Sequence, residues 1–376
     1  MTQQSAQLRI GIVMAGGSGE RFWPVSRRAK PKQLLALTRP DKSMLAEAVD
    51  RMTPAVGADK VYVVTGKHLV DALRHAMPGM PAEQILAEPS KRNTAGALAY
   101  TAAWLMARYN GYSPDAITMA VTTADHRIGD DLRFSQTVLT AMDAAEQQNA
   151  LVVCGVAPTR PETGYGYIEV DAATAVMAGN NQGPHVYRAC AFHEKPDVDR
   201  ASQFLASGRH FWNSGMFFWK VSAFLDELKA AQPDMEKAVW LMAEALKGGD
   251  DEALVRHFET IESASIDFAL MEKARNVLAV KADFPWADVG AWNSLAEPDT
   301  LNSENNFCLG EPIVIDCANT IVYNEQGADK MAVGVVGMQD VIVVATADAV
   351  LVLPRDRAQD VRAVVEELKR RNGPQL

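Results

Sequence analysis

Short apolar segments alternate with segments of helical length through the first 156 residues of the chain. The apolar segments occupy residues 8–15, 60–65, 84–88, 116–122 and 150–156. The helix-length segments between them occupy residues 43–53, 67–77, 93–109 and 130–148. Strands that alternate with helices in this way are typical of βαβ units, in which neighbouring strands run parallel. The alternation therefore predicts an α/β fold with a mostly parallel sheet.

The pattern changes in the second half of the chain. Shorter β-like pieces fill residues 165–220, and helical sequence follows over 221–274, interrupted at Pro233. Residues 298–306 are a polar run of turn-forming residues, which predicts a domain boundary. We therefore expect two domains, residues 1–298 and residues 299–376.

The second predicted domain is small and rich in β-structure. Short apolar runs about ten residues apart follow the boundary, and they are typical of closely spaced strands. Residues 356–371 form an amphipathic pattern that predicts a closing helix, with Val361, Val364, Val365 and Leu368 on one face. The sequence of this domain offers no cluster of acids, bases or ligands that we can assign to chemistry.

Composition excludes several classes of protein. The 376 residues are 48% apolar and 22% charged, as in an ordinary globular protein, and the net charge is −10. A nucleic-acid binder needs a basic face, so no nucleic-acid partner is expected. The four cysteines follow no metal-binding spacing, which predicts free thiols in a reducing compartment. With no secretory signal and no bilayer-length apolar stretch, we expect a cytoplasmic protein with no membrane partner.

Glycines follow the first predicted strand directly. Gly16, Gly17 and Gly19 carry no Cβ, so backbone N–H groups there can approach a phosphate closely. The spacing is neither that of a P-loop nor that of a dinucleotide-binding fingerprint. Basic residues then follow in an otherwise acidic chain: Arg21, Arg27, Arg28, Lys30 and Lys32. The residues alone leave two interpretations open, a phosphate-binding loop or a tight turn followed by a solvated basic face.

A family resemblance favours the first interpretation. GGSGERFWPVSR followed by PKQ, over residues 16–33, resembles the signature of sugar-phosphate nucleotidyltransferases. The WPVSR variant is similar to that of the mannose-1-phosphate guanylyltransferases. Further segments resemble the family pattern in order: EPSKRNTA from 88, TADH from 123, ETGYGYI from 162, FHEKP from 192, WNSGMF from 212, SIDFALMEK from 265 and WADVGAW from 286. The resemblance covers residues 8–296 and continues more weakly to 376.

The resemblance implies both a fold and a reaction. The fold would be a Rossmann-like mixed-sheet nucleotidyltransferase domain with a short left-handed β-helix-like domain at the C-terminus. The reaction would transfer GMP from GTP to α-D-mannose 1-phosphate, giving GDP-mannose and pyrophosphate. The implied catalytic residues are Arg21, Lys32, Asp125 and Lys195. The implied nucleotide-binding residues are Ala15, Gly16, Gly17, Ser18, Gly19, Glu20, Arg21, Lys32, Glu88, Asn93, Thr94 and Asp125. The implied sugar-phosphate-binding residues are Gly164, Tyr165, Glu194, Lys195, Asn213 and Gly215.

Two carboxylates complete the implied site. Asp125 and Asp288 lie far apart in sequence, so only the fold can bring them together. A pair of carboxylates with open water positions suits Mg²⁺ beside a triphosphate, and Mn²⁺ is the alternative ion. Asp267 is a third acid of open role, because its sequence context equally fits the N-cap of a helix over 266–274.

Other functions remain as alternatives. The chain could use another nucleotide or sugar 1-phosphate within the same superfamily. It could also be a non-catalytic sensor of nucleotide sugars, but a sensor should lack one of the key charged residues, and Arg21, Asp125, Lys195 and Asp288 are all present. Phosphomannose isomerase activity is not expected, because the sequence shows no further cupin domain. We expect a homodimer, with the C-terminal domain packed on the catalytic domain or on the second subunit.

Overall fold

The computed structural model describes residues 7–17, 19–39, 41–177, 184–296 and 300–376. The helices are α1 Met44–Val56, α2 Val70–Ala76, α3 Asn93–Arg108, α4 Asp131–Gln148, α5 Val198–Ser207, α6 Val221–Ala231, α7 Pro233–Gly248, α8 Asp251–Glu259 and α9 Val361–Arg371. The strands are β1 Leu8–Met14, β2 Val61–Gly66, β3 Ile85–Glu88, β4 Ile117–Thr123, β5 His126–Ile128, β6 Leu151–Val156, β7 Tyr167–Met177, β8 Val186–His193, β9 His210–Lys220, β10 Val277–Lys281, β11 Trp286–Asp288, β12 Phe307–Leu309, β13 Ile313–Ile315, β14 Ile321–Asn324, β15 Gly334–Val336, β16 Val341–Ala345 and β17 Val350–Pro354.

The large sheet has the strand order β3-β2-β1-β4-β9-β6-β10-β8-β7. Its first four strands run parallel, as the alternation of strands and helices predicted. Strand β9 then runs antiparallel between β4 and β6, and β8 runs antiparallel to β10. Strands β6 and β10 also pair in parallel. The prediction of a mostly parallel sheet therefore holds for the N-terminal strands and for this pair, and not for the rest of the sheet. The sheet as a whole is mixed, because the chain returns to its centre through β9 from the β7–β8 region.

Helices cover both faces of the sheet. Ile12 points into the core formed with α3, α6 and α7, while its neighbour Val13 points into the core formed with α1 and α4. Successive side chains of a strand alternate between faces, so a strand buried on both sides is apolar throughout. This double burial explains why the central strands were readable as continuous apolar segments.

The parallel strands bring two loops to one edge of the sheet. Met14 and Thr123 are register partners at the carboxyl ends of β1 and β4. The backbone N–H of Ala124 donates to the Met14 carbonyl oxygen at 3.0 Å. The glycine loop and Asp125 therefore leave the sheet side by side, at the edge where open α/β sheets bind their ligands.

The C-terminal residues form a small coil of parallel strands. Strands β12, β14 and β16 pair in parallel along one side, and β13 pairs with β15 in parallel along another. The predicted closing helix is present as α9, in which Val361 and Val365 are buried. Val364, on the same face by helical spacing, is 38% exposed. The predicted boundary at 298 and 299 lies outside the described residues.

The coil shares a hydrophobic core with the segment after the glycine loop. Phe22, Trp23 and Trp292 pack in one cluster with Ile342 and Val361. The Trp292 indole N–H donates to the Trp23 carbonyl oxygen at 3.1 Å. The C-terminal domain therefore packs on the catalytic domain at the glycine loop.

Two further observations concern helix length and the cysteines in the described residues. No helix among them is both long and apolar enough to cross a bilayer. Cys154 and Cys317 are buried free thiols, and Cys190 and Cys308 are exposed free thiols.

Candidate active site

A cleft of about 310 Å³ opens at the carboxyl ends of β1 and β4. Its size lies at the lower end of the range typical of ligand pockets. The residues that line it are Gly16, Gly17, Gly19, Glu20, Arg21, Phe22, Lys32, Gln33, Asp125, Asp288, Gly290 and Arg362. The cleft thus joins residues from both ends of the chain.

The glycine loop is fixed where it leaves β1. The Ala15 carbonyl oxygen accepts hydrogen bonds from Gln33 Nε2 at 3.0 Å and from Thr65 Oγ1 at 2.9 Å. Gly19 has a φ of 60°, and a Cβ there would lie 2.4 Å from Lys32 Cβ and 2.7 Å from the Lys32 backbone nitrogen. Only glycine fits such an approach, so the loop and Lys32 form one packed unit.

Lys32 and Asp125 form an ion pair inside the cleft. The Lys32 side chain is 8% exposed, and its Nζ donates to Asp125 Oδ2 at 2.9 Å. Burial alone would raise the pKa of Asp125, but the charge of Lys32 and its hydrogen bond to the carboxylate outweigh burial and lower that pKa to about 2. Asp125 is therefore ionised throughout the neutral pH range.

A short two-stranded sheet brings the second aspartate to the first. Strand β11 pairs antiparallel with β5, and Asp288 is the register partner of His126. The Trp286 indole N–H donates to His126 Nδ1 at 3.3 Å, and burial lowers the pKa of His126, so the ring is neutral. Two carboxylates in one cleft are a hard oxygen donor set, which fits a divalent cation of the Mg²⁺ type.

A second polar cluster lies where β7 begins and β8 ends, beside β9 and the helical turn that begins at Asp267. We call its residues Gly166, Glu194, Lys195, Asn213 and Asp267 the Glu194 cluster. Lys195 has a φ of 45°, and its Nζ donates to Glu194 Oε1 at 2.5 Å. A Cβ on Gly166 would lie 2.6 Å from Glu194 Oε2, so the glycine leaves room for that carboxylate. Asn213 Nδ2 donates to Asp267 Oδ1 at 2.7 Å. Burial and the nearby charge of Glu194 raise the pKa of Asp267.

An aromatic wall connects this cluster with the aspartates. The Tyr165 ring lies 5.4 Å from the ring of Trp212 and 5.5 Å from that of Trp286. Trp286 in turn contacts His126 edge to face at 5.2 Å. Gly215 has a φ of 70°, and a Cβ there would lie 3.9 Å from Thr123 Cγ2, at the end of β4. The sugar-side residues implied by the resemblance therefore approach the cleft from the β9 side.

Comparisons with known proteins identify the family to which the chain belongs. Residues 10–302 match the family described as Nucleotidyl transferase, and residues 310–368 match the MannoseP isomerase/GMP-like beta-helix domain. Mannose-1-phosphate guanylyltransferase of Escherichia coli strain K12 is 38% identical over 367 residues, covering 95% of this chain and 73% of that protein. The chain belongs to the mannose-1-phosphate guanylyltransferase family.

Other similar proteins support membership of the guanylyltransferase family. The xanthan biosynthesis protein XanB of Xanthomonas campestris pv. campestris strain B100 is 38% identical over 366 residues, covering 96% of this chain and 73% of that protein. A crystal structure described as mannose-1-phosphate geranyltransferase from Thermus thermophilus is 31% identical. It superposes with a TM-score of 0.83, covering 96% of this chain and 100% of that one. The similarity to that structure extends over both parts of the fold.

The nucleotide-binding residues that the resemblance implies lie in two separate regions of the structure. Most of them line or adjoin the cleft, but Ser18 lies outside the described residues. Asn93 and Thr94 instead begin α3, where Thr94 Oγ1 accepts from the Ile266 backbone N–H at 2.8 Å. Glu88 ends β3, and burial raises its pKa to about 7, with Lys91 opposing the shift. These three residues form a separate surface at the β3 edge.

Asp267 proves not to be a helix cap in this family member. It lies inside a short π-helical turn, Asp267–Met271, and its carboxylate accepts from Asn213. Ser265 instead accepts the backbone N–H of Phe268 at 3.4 Å. Asp267 therefore belongs with the Glu194 cluster and is absent from the described lining of the cleft that holds Asp125 and Asp288.

Four residues that line the cleft were not among the predicted site residues: Phe22, Gln33, Gly290 and Arg362. Gln33 was detectable, because it follows Lys32 within the PKQ motif and holds the Ala15 carbonyl. Arg362 lies on α9 of the C-terminal domain, on an exposed helix face that carried no recognisable signal. Two of the basic residues that suggested phosphate binding instead pair with that domain, Arg27 with Asp348 at 2.8 Å and Lys30 with Glu325 at 3.0 Å.

Proposed function

We propose that this chain transfers GMP from GTP to mannose 1-phosphate and releases pyrophosphate. The observation that carries the proposal is the cleft in which the glycine loop, the Lys32–Asp125 pair and Asp288 meet. Such a site supplies backbone N–H groups, cations and a carboxylate pair, and nucleotidyl transfer depends on these to position and neutralise phosphates.

The reaction needs no general base. The phosphate monoester of mannose 1-phosphate is already an anion at neutral pH, so one of its oxygens can attack the α-phosphorus of GTP in line. A new O–P bond forms as the bond between the α-phosphorus and the bridging oxygen breaks, and that oxygen leaves with pyrophosphate. Arg21 and Lys32 would reduce the repulsion between the two anionic reactants and hold the α-phosphate in position.

Asp125 and Asp288 would hold a divalent cation, Mg²⁺ or Mn²⁺. When bound, such an ion neutralises charge on the nucleotide phosphates. The low pKa of Asp125, about 2, keeps that carboxylate ionised and able to act as a ligand. Lys32 fixes one oxygen of the same carboxylate, so its orientation is set before any ion arrives.

The Glu194 cluster would bind the sugar phosphate. Glu194 would accept hydrogen bonds from sugar hydroxyls, and Lys195 would turn from Glu194 to the sugar's phosphate. The left-handed backbone at Lys195 places adjacent side chains close enough to pair, instead of on opposite faces as in an extended strand. Asn213, held by Asp267, would complete the hydroxyl contacts.

Replacing Lys195 with alanine is expected to weaken use of the sugar phosphate selectively. Loss of one charge-assisted contact should raise KM for mannose 1-phosphate by at least about tenfold and leave KM for GTP within about twofold. Steady-state pyrophosphate release with each substrate varied in turn measures both constants. Lys247→Ala is the matched control, since Lys247 makes a similar surface pair with Glu244 at 2.9 Å. Equal increases in both constants would contradict the assignment of Lys195 to the sugar phosphate.

Glu88 is expected to make GTP binding depend on pH. An ionised carboxylate accepts hydrogen bonds from the N–H groups on one edge of guanine, whereas a protonated one does so poorly. Because burial raises the pKa of Glu88 to about 7, KM for GTP should fall as pH rises from 6 to 8, by up to about tenfold. Kinetics at pH 6, 7 and 8 test this. Glu88→Gln should flatten the profile, and Glu83→Gln, at an exposed position in the short turn before the same strand, should not.

The raised pKa of Glu88 also makes the stability of the folded protein depend on pH. The folded state retains the carboxyl proton at a pH where the unfolded chain has lost it, since the pKa of Glu88 in the folded state lies above the ordinary value of 4.5. Stability should therefore fall as pH rises from about 4.5 to about 7 and change no further through this group. If KM for GTP shows no pH dependence that Glu88→Gln removes, the placement of Glu88 at the base is wrong.

Pyrophosphate release from mannose 1-phosphate with GTP, ATP, UTP and dTTP in turn tests the proposed function directly. Release with GTP, abolished by EDTA and restored by Mg²⁺ or Mn²⁺, is the expected result. Release with another nucleotide would preserve the mechanism and change the substrate. Binding of GTP without release under every condition would favour the sensor hypothesis.

We also propose a cytoplasmic homodimer. Ile315 of β13 and Val336 of β15 are exposed register partners on the C-terminal coil, and Ile313 lies beside them. An exposed apolar patch of this kind suits contact with a second copy. The free thiols suit a reducing compartment. Light scattering should give twice the chain mass, and Ile315→Glu should return a monomer.

A further inference from the structure

Arg362 belongs to the C-terminal domain and yet lines the catalytic cleft. It is the second residue of α9, and it faces the same space as Arg21, Asp288 and the glycine loop. Burial lowers the pKa of Arg21, and the positive charge of Arg362 lowers it further, which shows that the two guanidinium groups lie near one another. Two like charges in one cleft repel unless an anion lies between them.

Arg362 differs from the other basic residues of α9. Lys369 pairs with Glu20 at 2.7 Å, and Arg370 and Arg371 pair with Glu367 at 2.5 and 2.6 Å. Within the described part of the chain, Arg362 forms no ion pair or hydrogen bond. Arg21 also has unsatisfied hydrogen-bond donors. Its buried Nε has no hydrogen-bond partner, and its Nη1 donates only to the Gly290 carbonyl oxygen at 3.5 Å.

The other charges of the cleft leave this pair of guanidinium groups with surplus positive charge. Three carboxylates line the cleft, and two of them are already paired, Glu20 with Lys369 and Asp125 with Lys32. Asp288 alone is left to balance Arg21 and Arg362. Guanidinium groups present planar, paired N–H donors that match phosphate oxygens. The partner that Arg21 and Arg362 lack is therefore a phosphate-bearing anion.

The position of Arg21 and Arg362 in the cleft indicates which phosphates they would bind. The Glu194 cluster approaches the cleft from the β9 side, whereas Arg21 and Arg362 lie with the glycine loop on the β1 side. In an in-line displacement the leaving group departs on the side opposite the nucleophile. We infer that Arg362, with Arg21, binds the pyrophosphate part of the nucleoside triphosphate and the pyrophosphate product, an inference that rests on the proposed function for the direction of the reaction.

The fold holds Arg362 against the loop. Val361 and Val365, on the neighbouring face of α9, are buried in the core shared with Phe22. The Lys369–Glu20 pair adds a second link, and Trp23 Nε1 donates to the Gln375 carbonyl at 2.9 Å. The C-terminal domain thus contributes a substrate-binding residue as well as packing, and the phosphate site is incomplete without it.

Arg362→Gln separates this role from a structural one. We expect KM for GTP and the inhibition constant of inorganic pyrophosphate each to rise about tenfold, the scale of one charge-assisted contact. KM for mannose 1-phosphate should stay within about twofold, and the melting temperature should not change, since Arg362 is exposed. Arg362→Lys should restore part of the loss, because it keeps the charge without the planar fork. Arg370→Gln, on the same helix, is the matched control and should behave as wild type.

Equilibrium titration with inorganic pyrophosphate, with and without Mg²⁺, tests the inference apart from turnover. Weaker binding to Arg362→Gln than to wild type and Arg370→Gln supports it. Equal binding to all three proteins, or equal increases in the KM values of both substrates, would overturn it. If wild type binds pyrophosphate through Arg362 but releases none from any nucleotide, the proposed function fails while this binding site stands.

Discussion

Replacing Asp125 with asparagine should lower kcat for pyrophosphate release by at least about 100-fold, the scale of a lost electrostatic contact in a preorganised site. The substitution keeps the shape of the side chain but removes the charge that pairs with Lys32 and would bind the divalent ion. It also leaves the buried Lys32 ammonium without its carboxylate, which should lower the melting temperature. Steady-state kinetics across a Mg²⁺ titration and thermal melts measure the two effects.

Asp115→Asn is the matched control for that substitution. Asp115 lies near the opposite end of β4 and pairs with the largely buried Lys220 at 2.6 Å, so the two ion pairs resemble each other in chemistry. Its replacement should lower stability to a similar or smaller degree and leave kcat unchanged. A near-normal rate for Asp125→Asn at saturating Mg²⁺ would exclude Asp125 as a metal ligand.

Gly19→Ala is expected to have the second large effect. A Cβ at this position would lie 2.7 Å from the Lys32 backbone nitrogen, and backbone cannot move aside as a flexible side chain can. The positive φ of 60° adds about 1–2 kcal/mol for any residue with a Cβ. The loop must therefore leave Lys32, and we expect kcat to fall by about 100-fold or more, together with a lower melting temperature.

Gly208→Ala is a control that has the backbone strain of a positive φ without a steric clash of the new Cβ. Gly208 has a φ of 65°, but a Cβ there would meet nothing within 4 Å. This control should lose only the stability that the backbone conformation requires and should keep full activity. If Gly19→Ala behaves like Gly208→Ala, the close approach of the loop to Lys32 is unimportant for catalysis.

The sequence predicts the central strands and the glycine loop well because their signals are local. Ile12 and Val13 are buried on opposite faces of the sheet, and such double burial leaves a continuous apolar run. The pairing of β5 with β11 left no such signal, since each strand has only three residues. That pairing nevertheless brings Asp125 and Asp288 together, so their meeting could be inferred only from the family resemblance.

The partners of the basic residues were harder to predict from the sequence than the buried strands. Arg21, Arg27, Lys30 and Lys32 look alike in sequence, but only the first and last line the cleft, while the middle two pair with acids of the C-terminal domain. Arg362 shows the converse, a cation that looks like helix surface and faces the site. Which partner a cation meets depends on contacts between distant segments, and one sequence does not encode these in a readable form.

The core shared by Phe22, Trp292 and Ile342 has a consequence for protein engineering. A chimaera that joins this catalytic domain to a relative's C-terminal coil at the linker would cut through one hydrophobic core instead of between two. Residues 20–37 and 289–295 would have to be exchanged together with the coil, because these segments form the other half of the shared core. In recombination terms, the unit that can be exchanged is discontinuous in sequence, and it includes Arg21 and Lys32 of the cleft.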